Sequence, residues 1–265
     1  MSRHAVLPRR LHRHFIAVAI ACLLSPALAW AEDGPVLPLA ADDRAQLEKM
    51  LGKDVIVTAL PARPLLAAMQ YLPKASGKLV FRVTERGKKP RDEIHTVTKL
   101  SQAGAVDSFQ YDRTNEERMV FTTTENGGAS ITKDYDLEKQ VISTFTPPQP
   151  LIIPGLAPGQ SQNVKIAVAV ADMDDPNNVS YRGSLDVSCI NLGRFKVKVP
   201  AGTYDADLIK WTFAGDIGPA SVETSQYRFL SEGNGMVAMV QWRSISAMLI
   251  YHEKSLVGRV LSKVE

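Results

Sequence analysis

Few residues of this chain are of a type that does chemistry, and they are scattered. Beyond residue 31 there are two histidines, His95 and His252, and one cysteine, Cys189. A hydrolase would use a histidine as general base beside a nucleophile on a sharp elbow, or a pair of histidines on one helical face to hold zinc. Neither G-x-S-x-G nor H-E-x-x-H occurs. His95 shares a strand face with Val97 and Lys99, while His252 sits between Tyr251 and Glu253. Both read as ordinary surface or interface histidines. Leu185, Val187 and Cys189 alternate onto one face, which predicts a buried, inert thiol.

Oxygen ligands gather at Asp172-Met173-Asp174-Asp175-Pro176-Asn177-Asn178, so Asp172, Asp174 and Asp175 are the candidate metal residues and calcium the candidate ion. The stretch lacks the glycine and distal glutamate of an EF-hand loop, and Asp-Pro-Asn-Asn is ordinary turn chemistry, so no cofactor is expected. Soft apolar residues gather in the last third: Met236, Met239 and Met248 with Trp242, Phe229 and Leu249. Core filling is their default role. The alternative is a cavity for an acyl chain, with Met236, Met239, Trp242 and Met248 as candidate ligand-binding residues. The basic run Arg86-Gly87-Lys88-Lys89-Pro90-Arg91, followed by Asp92 and Glu93, reads as a solvated hairpin tip.

The first 31 residues carry Arg3, Arg9, Arg10 and Arg13, then an apolar run from Phe15 to Leu24, then Ala29-Trp30-Ala31. This is the pattern of a cleaved secretory signal, which predicts a chain starting at Glu32 and a periplasmic location. Cys22 after Ala21 offers an alternative, lipid attachment, although apolar sequence continues past it to Trp30. Loss of residues 1–31 leaves 234 residues, with 27 of the 31 bases against all 28 acids, a net charge of −1. No global basic field remains to attract nucleic acid, and no later apolar run is long enough for a membrane helix. One cysteine permits no internal disulfide.

Candidate residues need elements to hold them. Asp42 to Gly52 predicts a short helix, with aspartates at its start and glycine at its end. Arg63 to Leu72 predicts a second helical turn, opened by Pro64 and stopped by Pro73. The rest alternates as strand: Leu79, Phe81 and Val83 against Lys78, Arg82 and Thr84, and Phe195, Val197 and Val199 against Lys196 and Lys198. Val164, Ile166, Val168 and Val170 oppose Lys165 and three alanines, which predicts a central strand covered on both sides. Asn234-Gly235 between two apolar runs predicts a hairpin. The prolines and glycines of residues 147–160 mark the candidate seam or sheet-to-sheet crossover in an otherwise single domain, 32–265.

Val199-Pro200-Ala201-Gly202-Thr203-Tyr204 and the later Gly233-Asn234-Gly235-Met236-Val237 resemble the "V-P-A-G-T-Tyr/Phe" turn and "G-x-G-x-V" hairpin of periplasmic β proteins described by a domain of unknown function. Some of these are similar in outline to the half-barrel lipoprotein carriers of the envelope. The expected fold is all-β: a curved antiparallel sheet, half-barrel or sandwich, with one or two short N-terminal helices. The expected function is a non-enzymatic periplasmic binding or envelope-maintenance protein for an apolar or lipidic ligand. The alternatives are a hydrolase built around His95 or His252 with the acids near 172–175, and a structural partner in an envelope protein complex.

Overall fold

The computed structural model describes residues 34–73, 77–103, 106–114, 116–247 and 251–265. The expected signal segment with its cleavage site and Cys22, and also Met248, lie outside them. Helix α1 (Ala41–Leu51) and the single turn α2 (Ala68–Tyr71) precede and interrupt the first strands. The strands are β1 (Ile56–Leu60), β2 (Leu79–Glu85), β3 (Arg91–Ala103), β4 (Val106–Arg113), β5 (Glu117–Thr123), β6 (Ala129–Asp136) and β7 (Val141–Ile152). They continue as β8 (Ser161–Asp172), β9 (Val179–Val199), β10 (Gly202–Ile217), β11 (Ala220–Ser231), β12 (Gly235–Ala247) and β13 (Tyr251–Val264).

From β2 to β13 each strand pairs antiparallel with the next, as short turns between alternating strands require. The ring then shuts, because β13 pairs with β2: Leu261 lies opposite Phe81 and Val264 opposite Leu79. The all-β class is as the alternation predicts, but the open half-barrel or sandwich is not what forms. The strands make a closed 12-stranded barrel, with β1 added outside the ring on β9. Closure removes the two edges that an open sheet would expose. The predicted hairpin joins β11 to β12, and Gly235 takes the left-handed φ of 77° that glycine tolerates. Pro147, Pro148 and Pro150 fall within β7, where the β6–β7 register slips beside Ile131.

Two apolar clusters fill the structure. One joins Leu65, Ala68 and Tyr71 to inward residues of β4 to β10, among them Phe121, Ile166, Cys189, Trp211 and Phe213. The other packs Leu47 and Met50 of α1 and Ile56 of β1 against β2 and β9–β13. The β8 expectation needs correction: Ile166 and Val168 face the core, but Lys165 and Ala167 are exposed, so only one face is covered. Helix α1 packs on β12, β13 and β2. Its Asp43 carboxylate accepts hydrogen bonds from Tyr227 (2.5 Å) and Lys210 (2.9 Å).

Residues 61–73 position the site. In an up-and-down barrel successive turns alternate between the two ends. The β5–β6, β7–β8 and β11–β12 turns share one end, and this segment bonds to all three. Ala68 N–H donates to Gly127 O (2.8 Å), Leu65 N–H to Leu156 O (3.1 Å), and Gly233 N–H to Gln70 O (2.8 Å). Asp207, only 1% exposed, accepts from Tyr71 OH at 2.7 Å and from Arg63 Nη2 at 3.1 Å. The segment therefore forms a plug over that end, pinned by main-chain bonds and a buried carboxylate.

Candidate functional site

A cavity of about 160 Å³ lies inside the barrel beneath the plug. Ala68, Tyr71, Leu72 and Pro73 of the plug line it, as do Leu79, Val97, Met119, Phe121, Leu151, Ile152, Leu230, Met236 and Met239. Phe81, Ala129 and Gly235 complete that apolar part, and the polar part of the wall is His95, Tyr111, Arg113, Glu117, Gln226, Arg228, Gln241 and Arg259. One chamber thus joins an apolar compartment to a charged one.

The charged wall is built by alternation. Glu93 and His95 stand two residues apart on β3, so both point inward with Val97. Arg259 of β13 donates from Nε to Glu93 Oε2 (2.7 Å) and from Nη2 to Oε1 (3.2 Å), a two-pronged pair with each partner 3% exposed. His95 Nε2 lies 3.2 Å from Glu93 Oε2, and Nδ1 meets the Tyr111 hydroxyl. An ionised carboxylate only accepts, so neutral His95 donates from Nε2 and takes the Tyr111 proton at Nδ1. Its ring stacks on Phe81 at 4.3 Å. Arg113 pairs with Glu116 and Glu117, each at 3.2 Å.

Burial works to raise the Glu93 carboxyl, but the His95 hydrogen bond and Arg259 outweigh it and hold the group below the usual range. Burial lowers His95, more than Glu93 raises it. Burial, then the Glu117 charge, pushes Asp134 well above a normal aspartate. Burial pushes the Cys189 thiol up to about 12, as suits an inert core residue.

These directions fix a pH response. The unfolded chain protonates His95 near its ordinary value of about 6.5, whereas the folded protein resists until lower pH. Between those two values the unfolded state binds more protons, so stability falls as pH drops below about 6.5. Glu93 adds a loss in the same direction at still lower pH; Asp134 acts oppositely, since its proton stays on longer in the folded state. The difference between wild type and His95→Gln isolates the histidine. Urea midpoints at pH 7.5 and 5.5 should show the wild type losing more on acidification, with a slope of at most ~1.4 kcal/mol per pH unit. An equal loss in both proteins would remove His95 from that response.

The structure separates the candidate ligand residues. Met236 and Met239 line the cavity. Trp242 follows cavity-lining Gln241, so alternation turns it to the other face of β12, outside the chamber. Asp174 and Asp175 are exposed in the β8–β9 turn and Asp172 is exposed at the end of β8; the turn is closed by Asp175 N–H to Asp172 O (3.2 Å) and Asn178 N–H to Asp175 O (3.1 Å). Among the described residues no group of three metal-ligating side chains assembles, there or elsewhere. His252 is exposed as read, but His95, at 1% exposure, is not a surface histidine, and its partners are Glu93 and Tyr111 rather than the acids near 172–175. Nor does the solvated tip extend to Glu93. Asp92 stays outside with Arg82, and Glu93 turns in.

Sequence reading missed Arg113, Arg228 and Arg259, because charges in an alternating strand default to the wet face. A signal did exist: Arg259 shares its parity with Val257 and Leu261, and Glu93 with Val97, so each is a charge in an apolar register.

No protein-family model matches the chain, and no curated protein matches it. Among solved structures, it is similar to a candidate exported protein of Bacteroides fragilis with a YmcC-like fold, at 11% identity and a TM-score of 0.45 over 77% of this chain and 99% of that one. It is also similar to a candidate lipoprotein of Parabacteroides distasonis, at 12% identity and TM-score 0.42 over 76% and 99%. A third is the hypothetical lipoprotein YmcC of Escherichia coli K12, at 8% identity and TM-score 0.39 over 72% and 87%.

Proposed function

We propose that this chain is a non-enzymatic binding protein of the cell envelope that holds a small apolar or lipidic molecule inside its barrel. The observation that carries the reading is the chamber under the plug, walled on one side by Met236, Met239, Met119, Phe121, Leu72 and Leu151. A protein core is normally packed without voids larger than a water, so an apolar space of about 160 Å³ is a feature to be explained. An apolar cavity of about 150 Å³ holds a benzene-sized guest. The export pattern at residues 3–31 supports an envelope location, and exposed charges on outward-facing strand positions, Arg82, Lys165 and Asp186, support a barrel surrounded by water, since a membrane barrel presents apolar residues there. Among the described residues no helix is long and apolar enough to cross a membrane.

For the hydrolase alternative, the hydrogen-bond partners of His95 are Glu93 and the Tyr111 phenol, not a serine or cysteine and not the acids near 172–175, and burial pushes that phenol up, away from the ionised form.

Binding of octan-1-ol tests the reading. A guest that occupies only the folded state raises the midpoint, by about 2.7 kcal/mol of stability at one hundred times its dissociation constant. The expected result is a rise for wild type that Met236→Trp, which fills the chamber, abolishes. Equal responses in both proteins would count against the cavity as the binding place.

A further inference from the structure

The wall of the cavity is rich in guanidinium groups. Arg113, Arg228 and Arg259 line it, and Glu117 is the one carboxylate among the lining residues. Glu93 stands behind Arg259 and neutralises it, and Glu117 with Glu116 neutralises Arg113. Arg228 makes no ion pair at contact distance: its side-chain partner is the neutral amide oxygen of Gln226, and the Glu117 charge reaches it only through space. Donors are in surplus as well. Arg259, 3% exposed, leaves Nη1 without a partner, and so does Arg113 at Nε. A buried guanidinium without its full set of acceptors is costly, and proteins keep such groups where something else completes them.

We infer that the chamber takes a singly charged carboxylic acid with a short apolar body, its carboxylate against Arg228 and the free edge of Arg259, its body among Met236, Met239 and Leu72. This deepens the proposed function and rests on it. The planar forks of arginine match a carboxylate in two-point fashion, which a point cation does not. A carboxylate head also brings acceptors for guanidinium N–H groups that have none, Arg259 Nη1 among them. The volume limits the rest: with room comparable to a benzene-binding cavity, the body is about six to eight carbons, as in a medium-chain or aromatic acid.

Calorimetric titration of the full signal-free chain with octanoate, octan-1-ol and octylamine at pH 7 separates the two levels of the reading. Octanoate should bind about ten- to hundredfold tighter than octan-1-ol, the range for hydrogen bonds to a charged group, and octylamine should bind weakest. Arg228→Met should erase the octanoate preference. Equal binding of octanoate and octan-1-ol would overturn the anionic head and leave the apolar cavity standing; tighter octylamine binding would overturn it too. Absence of binding by all three would overturn both. The three-ligand comparison on the wild type decides the matter even if Arg228→Met does not fold.

Discussion

Glu93→Ala should remove about 3–5 kcal/mol of folding stability, the range for breaking one side of a buried ion pair. The magnitude follows from what is left behind. Arg259 loses both of its bonds to Glu93, at 2.7 and 3.2 Å, and its Nη1 is already unpartnered. His95 Nε2 loses its acceptor, and Arg91, which donates to Glu93 at 2.9 Å, loses one of its three carboxylates. The alternative of removing both charges is different in kind. Glu93→Met with Arg259→Met replaces a desolvated pair by apolar volume and should cost far less than the single change. Urea unfolding measures this through the midpoint at unchanged slope. A single-mutant loss below about 1 kcal/mol would show that the charges are hydrated.

Asp207→Ala should be nearly as damaging, by about 3–5 kcal/mol on the same principle, and its damage should be local as well as global. Asp207 is the buried carboxylate that ties both Arg63 and Tyr71 to the barrel, Glu232 being an exposed second partner of Arg63 at 3.4 Å, and the Tyr71 hydroxyl in turn accepts from Leu66 N–H at 3.1 Å. Without it the plug keeps its main-chain bonds to three turns but loses its charged anchor. Amide hydrogen exchange should therefore accelerate at Leu65, Ala68 and their neighbours before it does in β8–β10, since opening a segment takes less energy than unfolding a barrel. Asp207→Asn, which can still accept from Tyr71, should fall between. Uniform acceleration across the chain would mean that the plug has no stability of its own to lose. Because the same segment roofs the cavity, Asp207→Ala should also speed the exchange of a bound guest.

The plug and the charged wall are connected in purpose but not in sequence. Segment 61–73 precedes β2, while Asp207 sits on β10, and Arg63 and Asp207 are 144 residues apart. Glu93 and Arg259 are 166 apart. Bringing together groups that far apart along the chain carries the loop-closure cost of long-range contacts.

Sequence alone determined what local physics governs. Alternation with period two marked β2, β8 and β9; aspartates and a glycine bounded α1 within a residue; Pro64 and Pro73 framed the segment that carries α2; Asn234-Gly235 marked the β11–β12 turn. The buried thiol of Cys189 followed from its parity with Leu185 and Val187. Tertiary structure decided the rest. Whether a meander stays open or closes depends on Phe81 meeting Leu261 across some 180 residues of chain, and no local period encodes that pairing. The two sides of β8 show the same limit: alternation sorts residues into faces, but only closure says which face is wet. So too with the interior charges. For Glu93 and Arg259 the apolar register was a hint, but only the closed ring shows that these charges, with His95 and Arg228, face inward, where each needs a partner and Arg228, held by no contact ion pair, becomes the place to look for a ligand.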